Sequence, residues 1–205
     1  MRNEKSIPHS RKSLFPLSVQ YIKRYQMVYD LVKRPVSPPE LPSGFVWVPW
    51  SPALLNVHAE VKYRSFCNER DADLFPSFST LDNCRRLMDS IVSRAGFLSD
   101  TTWLIGLTPP PNSRRREFCA TIQGLQHSPD AGGIQNVAVL PGFRRQGLGE
   151  ALVRKALYGF WQNSIRKVVL HVTADNHTAV QLYLRLGFQT LQTVYKETTR
   201  PWWCE

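Results

Sequence analysis

The chain contains no uninterrupted apolar run of about 18 residues, so no segment is expected to cross a bilayer as a helix. It has no C-x-x-C pair, and no histidine stands at zinc-ligand spacing from Cys67, Cys84, Cys119 or Cys204, so no metal site is expected. Four scattered cysteines in 205 residues do not make a disulfide framework; they are expected as ordinary thiols in a reducing, cytoplasmic compartment. Acids are scarce, 16 against 26 Lys and Arg, which leaves a formal net charge of +10. Between Met1 and Val36 the only acids are Glu4 and Asp30, against Arg2, Lys5, Arg11, Lys12, Lys23, Arg24, Lys33 and Arg34. That segment also lacks the apolar block and small-residue cleavage site of a secretory signal; its Arg-rich, acid-poor character leaves organelle import open beside a solvated basic tail. No aromatic-basic RNA motif and no helix-turn-helix spacing occur, so a nucleic-acid partner would rest on charge alone and is not expected. The charge suits an anionic ligand such as a polyphosphate.

What is present is enough apolar surface for a core: 42% hydrophobic residues, including six Trp and ten Phe. Residues 1–43 read as a basic extension that ends in the proline-dense stretch Arg34 to Pro42, where missing donors and restricted backbone favour an extended linker. Within it, Tyr21, Tyr25, Val28 and Val32 fall at helical spacing and predict a short helix over Tyr21 to Lys33. Residues 44–205 read as one domain. Phe45 to Trp50 is strand-like. A helix follows from Ser51 or Pro52, with Leu54, Leu55, His58, Val61, Lys62 and Phe66 on its mostly apolar face. Thr80 is placed to cap a second helix. Strands are expected over Thr102 to Leu107, Phe118 to Leu125 and Ile134 to Leu140, with a loop over Gly124 to Gly133. A helix from Leu148, a strand over Lys167 to Val172, a helix capped by Asn176 and stopped by Gly187, and strands over Phe188 to Lys196 complete the pattern. It meanders early and alternates late, which is the signature of a mixed α/β sheet with helices on both faces.

The chemically informative segment runs from Ile134 to Gly149. A strand feeds a short loop, and the loop feeds a helix. Gly147 and Gly149 lack Cβ atoms where backbone must approach a ligand closely. The first-turn amides of the helix have no intrahelical acceptor and sit at the positive end of its dipole, which makes an anion site. The dinucleotide fingerprint G-x-G-x-x-G is missing, because Leu152 stands at the third glycine, and the lysine of a Walker P-loop is missing as well.

Arg144-x-x-Gly147-x-Gly149, preceded by Val137-Ala138-Val139-Leu140-Pro141, resembles motif A of the GNAT superfamily of N-acetyltransferases. Val172 to Phe188, through Asn176 and Tyr183, resembles motif B, in the right order and at the right distance. The resemblance covers roughly Ile134 to Gln189. It implies a GNAT fold: a mixed, largely antiparallel central sheet, helices on both faces, and the fourth and fifth strands of that fold splayed around an acetyl-CoA cleft.

It implies site residues as well. The pyrophosphate of acetyl-CoA, the cosubstrate, would lie on the amides of Arg144, Arg145, Gln146, Gly147, Leu148, Gly149 and Glu150. Its pantetheine arm would pair like an added strand with Val137, Ala138 and Val139. Asn176 would touch the cosubstrate beside its role as helix cap. Tyr183 would protonate the departing thiolate, with a packed helix aromatic as the plainer reading. The reaction would be direct attack of a primary amine on the thioester, with the Val139 amide facing the oxyanion.

The strand at Gly133-Ile134-Gln135-Asn136 departs from the family by carrying no acid or histidine, so no general base is assigned. His127, Asp130, Glu69, Asp71, Asp73 and a water chain are the candidates; His171 and His177 read as structural. Arg114, Arg115 and Arg116 read as a solvated hairpin tip. Trp202 and Trp203 are left with three readings: a core cap, an acceptor site or a homodimer contact. The acceptor, a small molecule or a peptide amine, is not legible. A noncatalytic acyl-CoA-binding module of the same fold is the alternative.

Overall fold

A computed structural model describes residues 18–67, 69, 74–109 and 116–200. The elements are β1 (Ser18–Asp30), β2 (Phe45–Pro49), α1 (Leu55–Phe66), α2 (Leu81–Val92), β3 (Trp103–Leu107), β4 (Phe118–Ser128), β5 (Ala131–Val139), α3 (Leu148–Gln162), β6 (Lys167–Thr173), α4 (His177–Leu186) and β7 (Gln189–Arg200). The strands form one sheet in the order β2-β3-β4-β5-β6-β1-β7. Among the described residues β5 and β6 are the parallel pair, and the other neighbours run antiparallel. The mixed, largely antiparallel sheet expected from the motifs is therefore present.

The helix expected over Tyr21 to Lys33 is not: this segment is strand β1, set between β6 and β7. Its apolar residues satisfy both periods, but the side chains that go inward are Tyr25, Met27 and Tyr29, at period two. Arg24 to Asp30 pair with β6 on one edge, and Ser18 to Val28 with β7 on the other, so β-rich aromatic and branched residues gain two ladders that a helix would forgo. The sheet thus begins upstream of Gly44, inside what reads from sequence as an extension. Val36 and Leu41 of the proline-dense stretch also pack against the main core. The loop expected over Gly124 to Gly133 is likewise mostly strand: β4 runs on to Ser128 and β5 starts at Ala131. The backbone carbonyl of Asp130, in the turn between them, accepts from the amides of Arg166 (2.8 Å) and Lys167 (3.0 Å), which pins the start of β6.

The helices cover opposite faces. On β4, Thr121 and Gln123 point at α1, where His58 Nδ1 lies 2.7 Å from Thr121 Oγ1. A Cβ on Gly124 or Gly132 would run into the ring of Phe160, which sets α3 on the other face at a closeness only glycine permits. Phe160, Leu152 and Leu157 of α3, Val168 and Leu170 of β6, Met27 of β1 and Phe188 share one core with Tyr183 and Leu186 of α4. Thr80 caps α2 by accepting the Asn83 amide at 3.1 Å. No helix among the described residues is long and apolar enough to cross a membrane.

Candidate functional site

β5 and β6 pair only from Ala131 to Gly133 against Lys167 to Val169. Beyond Gly133 the two strands part. The alternation of the β4–β5 ladder then decides which backbone groups face the gap. The Leu140 amide donates to Cys119 on the β4 side at 2.8 Å, so the peptide groups of Val139 and Val137 point to the opposite edge. That edge opens on a cleft of about 1040 Å³.

The helix α3 starts in this cleft without a side-chain cap. Its N-cap residue is Gly147, held at φ 79°, and the first intrahelical bond at its start runs from the Ala151 amide to the Gly147 carbonyl at 3.0 Å. The amides of Leu148, Gly149 and Glu150 precede that bond and are left for a partner outside the helix. Arg145 is also left-handed, at φ 64°. An L-residue held there costs on the order of 1 kcal/mol, which the loop sustains in order to turn sharply into the helix. A Cβ on Gly149 would meet Leu182 Cδ2 at 3.6 Å and Val139 Cγ2 at 3.9 Å, ordinary contacts. Nothing in the chain itself requires glycine at 149. An open, uncapped helix start of this kind, with bare glycine backbone, fits a diphosphate.

The opposite wall comes from α4. Asn176 accepts the Ala179 amide at 3.1 Å and so caps the helix, as expected. Gly187, at φ 104°, ends it. Tyr183 is buried, its ring 5.7 Å from that of Phe188, and it borders the cleft. Of the residues singled out from sequence, Val137, Ala138, Val139, Arg144, Arg145, Gly147, Leu148, Gly149, Glu150, Asn176 and Tyr183 all line the cleft. Gln146 is exposed and stands outside the lining.

The Arg144 side chain has partners of its own. Its guanidinium donates to Glu69 Oε1 at 2.7 Å, to the Ser65 carbonyl at 3.0 Å and, through Nε, to the Val139 carbonyl at 3.1 Å. It ties the end of α1 to the end of β5 across the mouth of the cleft. Among the base candidates, Glu69 is at the site and is the partner of Arg144. His127 and Asp130 sit at the far end of the β4–β5 hairpin and do not line the cleft. The Asp130 carboxylate accepts from Ser128 Oγ at 2.9 Å. Asp71, Asp73, Arg114, Arg115, Cys204, Trp202 and Trp203 lie outside the described residues. His171 is lowered by partial burial and by the nearby charges of Arg24 and His127. His177 opens α4 at the cleft rim.

Sequence reasoning left one group unread. His58, Lys62 and Ser65 of α1 are all buried and all polar, at positions i, i+4 and i+7 of the inward face. Lys62 Nζ donates to Asn136 Oδ1 at 3.0 Å. The signal was in the sequence, as two basic residues interrupting an otherwise apolar stripe. No group of metal-binding side chains occurs among the described residues.

Residues 105–188 match the acetyltransferase (GNAT) family. The chain is 41% identical over 68 residues to a mycothiol acetyltransferase of Corynebacterium glutamicum, covering 33% of this chain and 23% of that one. It is 36% identical over 72 residues to the ribosomal protein bS18-alanine N-acetyltransferase of Escherichia coli, covering 34% of this chain and 49% of that one. The matched segments thus span from about a quarter to about half the length of these relatives. In structure it resembles a GCN5-related N-acetyltransferase of Sphaerobacter thermophilus with a TM-score of 0.68, at 22% identity, over 89% of this chain and 54% of that one.

Proposed function

We propose that the protein transfers the acetyl group of acetyl-CoA to a primary amine, a reading supported by the match of residues 105–188 to the acetyltransferase (GNAT) family. The observation that carries this reading is the uncapped start of α3, facing Tyr183 across the gap between β5 and β6. The amides of Leu148 to Glu150 would hold the diphosphate by charge-assisted hydrogen bonds and the helix dipole. The cleft-facing edge of Val137 to Val139 would pair with the amide-bearing arm of the cosubstrate. Acetyl-CoA supplies an activated thioester. The chain's part is to orient it, to offer the Val139 amide to the charge that develops on the carbonyl oxygen, and to give the departing sulfur a proton from Tyr183.

The partly matched relatives are named for quite different molecules, mycothiol in one case and a ribosomal-protein alanine in the other. We therefore leave the acceptor as a small-molecule or peptide amine, and place the reaction in the cytoplasm, where the free thiols of Cys67, Cys84 and Cys119 would stay reduced.

The deciding experiment is calorimetric titration with acetyl-CoA, followed by thiol release in a screen of small amines and peptides with free α-amino groups. Saturable binding with amine-dependent thiol release is expected. Binding without release from any amine would instead favour the noncatalytic acyl-CoA-binding alternative. Absence of binding would remove both.

A further inference from the structure

We propose that Lys62 is the internal proton acceptor of the transfer, drawing the proton of the incoming amine through Ser65 along the buried polar stripe of α1. The inference rests on the transferase reading above. No acid stands on β5 between Gly133 and Asn136, yet the reaction requires an ammonium to lose a proton before its nitrogen can attack. The stripe supplies a route. Ser65 lines the cleft and is 2% exposed, and its Oγ has no hydrogen-bond partner among the described residues. One turn deeper, Lys62 is 0% exposed. Deeper still, His58 Nε2 and Gln123 Oε1 are also buried without partners. Buried polar atoms of this kind call for water or a ligand, and they follow one helix face inward from the cleft.

Lys62 is suited to receive the proton. Its hydrogen bond goes to a neutral amide oxygen, that of Asn136, and among the described residues no carboxylate forms a salt bridge with it. A wholly buried ammonium with one neutral acceptor is poorly compensated, so the neutral amine with its free lone pair is favoured. The titratable groups that face it are His58 on its own helix and Cys84 of α2; β4 and β5 face α1 with Thr121, Gln123 and Asn136, which do not titrate. Burial brings Lys62 down to about 7, with Cys84 acting the other way. His58 is brought down to about 3, first by burial and then by the Lys62 charge, so it stays neutral and does not compete for the proton.

The protons balance. The ammonium passes one proton by way of Ser65 and a bridging water to the Lys62 lone pair, and the neutral nitrogen attacks the thioester carbon. As the C–N bond forms and the C–S bond breaks, the second nitrogen proton replaces the one that Tyr183 gives to sulfur. Lys62 returns its proton to solvent by the same path. Lys62 acts through Ser65, not by contact with substrate.

The test is 15N NMR of the lysine-labelled full chain with CoA bound, joined to the pH dependence of kcat/KM for acetyl-CoA with the amine found by the screen. Expected are an Nζ that titrates near neutrality and exchanges protons with water, slowed about tenfold in Ser65→Val, and an acid limb of the rate profile moved up by about one pH unit in Lys62→Arg. Arginine can keep the hydrogen bond to Asn136 but brings a permanent charge and has no lone pair to offer near neutrality. An Nζ protected from exchange, or indifferent to Ser65→Val, overturns the relay even if the arginine variant does not fold. An unmoved acid limb in a folded Lys62→Arg also overturns it. Failure of the transferase reading looks different: no amine releases thiol, while the NMR result still decides the relay.

Discussion

Gly149 and Leu182 face each other across the cleft with room between them for one methyl group: a Cβ on the glycine would stop 3.6 Å from Leu182 Cδ2. The glycine is therefore free of internal constraint, and the proposed diphosphate site would account for its bareness. Gly149→Ala should leave the fold intact, or raise its stability by up to about 1 kcal/mol through helix propensity. It should at the same time weaken CoA binding about tenfold. Thermal melting read beside calorimetric titration checks both. Equal affinity for CoA in the two proteins would remove the diphosphate from this turn.

Tyr183 is buried against Phe188, so loss of its hydroxyl leaves the packing ring in place. Tyr183→Phe should lower amine-dependent thiol release by about 100-fold with CoA binding unchanged. A kcat that does not move would return Tyr183 to a purely packing role.

Asn176 serves α4 through its oxygen, which accepts the Ala179 amide. Asn176→Asp keeps a good cap but sets a negative charge at the rim of a cleft proposed to hold an anion. Stability should hold within about 0.5 kcal/mol while CoA affinity falls; Asn176→Ala should lose about 1 kcal/mol of stability as well. Chemical denaturation with CoA titration separates the two roles.

Lys62 makes stability depend on pH in a stated direction. Its folded value is about 7 against 10.5 ordinarily, so between those limits the unfolded chain binds more protons than the folded one. Stability should rise with pH from about 7 to 10.5 and lose that contribution as pH falls toward 7. His58, at about 3 against 6.5, does the same lower down: stability falls as pH drops from 6.5 toward 3. Lys62→Met should flatten the upper slope and be more stable than the parent at pH 7, by on the order of a few kcal/mol. Urea unfolding across pH measures this. A slope that survives in Lys62→Met would show that Lys62 is charged in the folded protein.

The cleft was legible because its parts are local. The strand-loop-helix from Val137 to Glu150 and the helix framed by Asn176 and Gly187 each write their geometry into a few adjacent residues. Gly147 must be left-handed to enter α3, Asn176 must cap, and Gly187 must stop α4. The place of Arg144 at the cleft was legible but its side-chain strap was not, because Glu69 and Ser65 come from another helix and its loop.

From the sequence alone came the order of the late elements, the two motifs and the walls of the cleft, since hydrogen bonds within a helix or turn depend on near neighbours. Tertiary structure decided that Ser18–Asp30 is a strand, because its partners lie more than a hundred residues downstream and local spacing also suited a helix. It decided, too, that Lys62 is fully buried beside Asn136. Burial belongs to the packing of α1 on β4 and β5, and no pattern within one helix fixes how much water its polar residues keep.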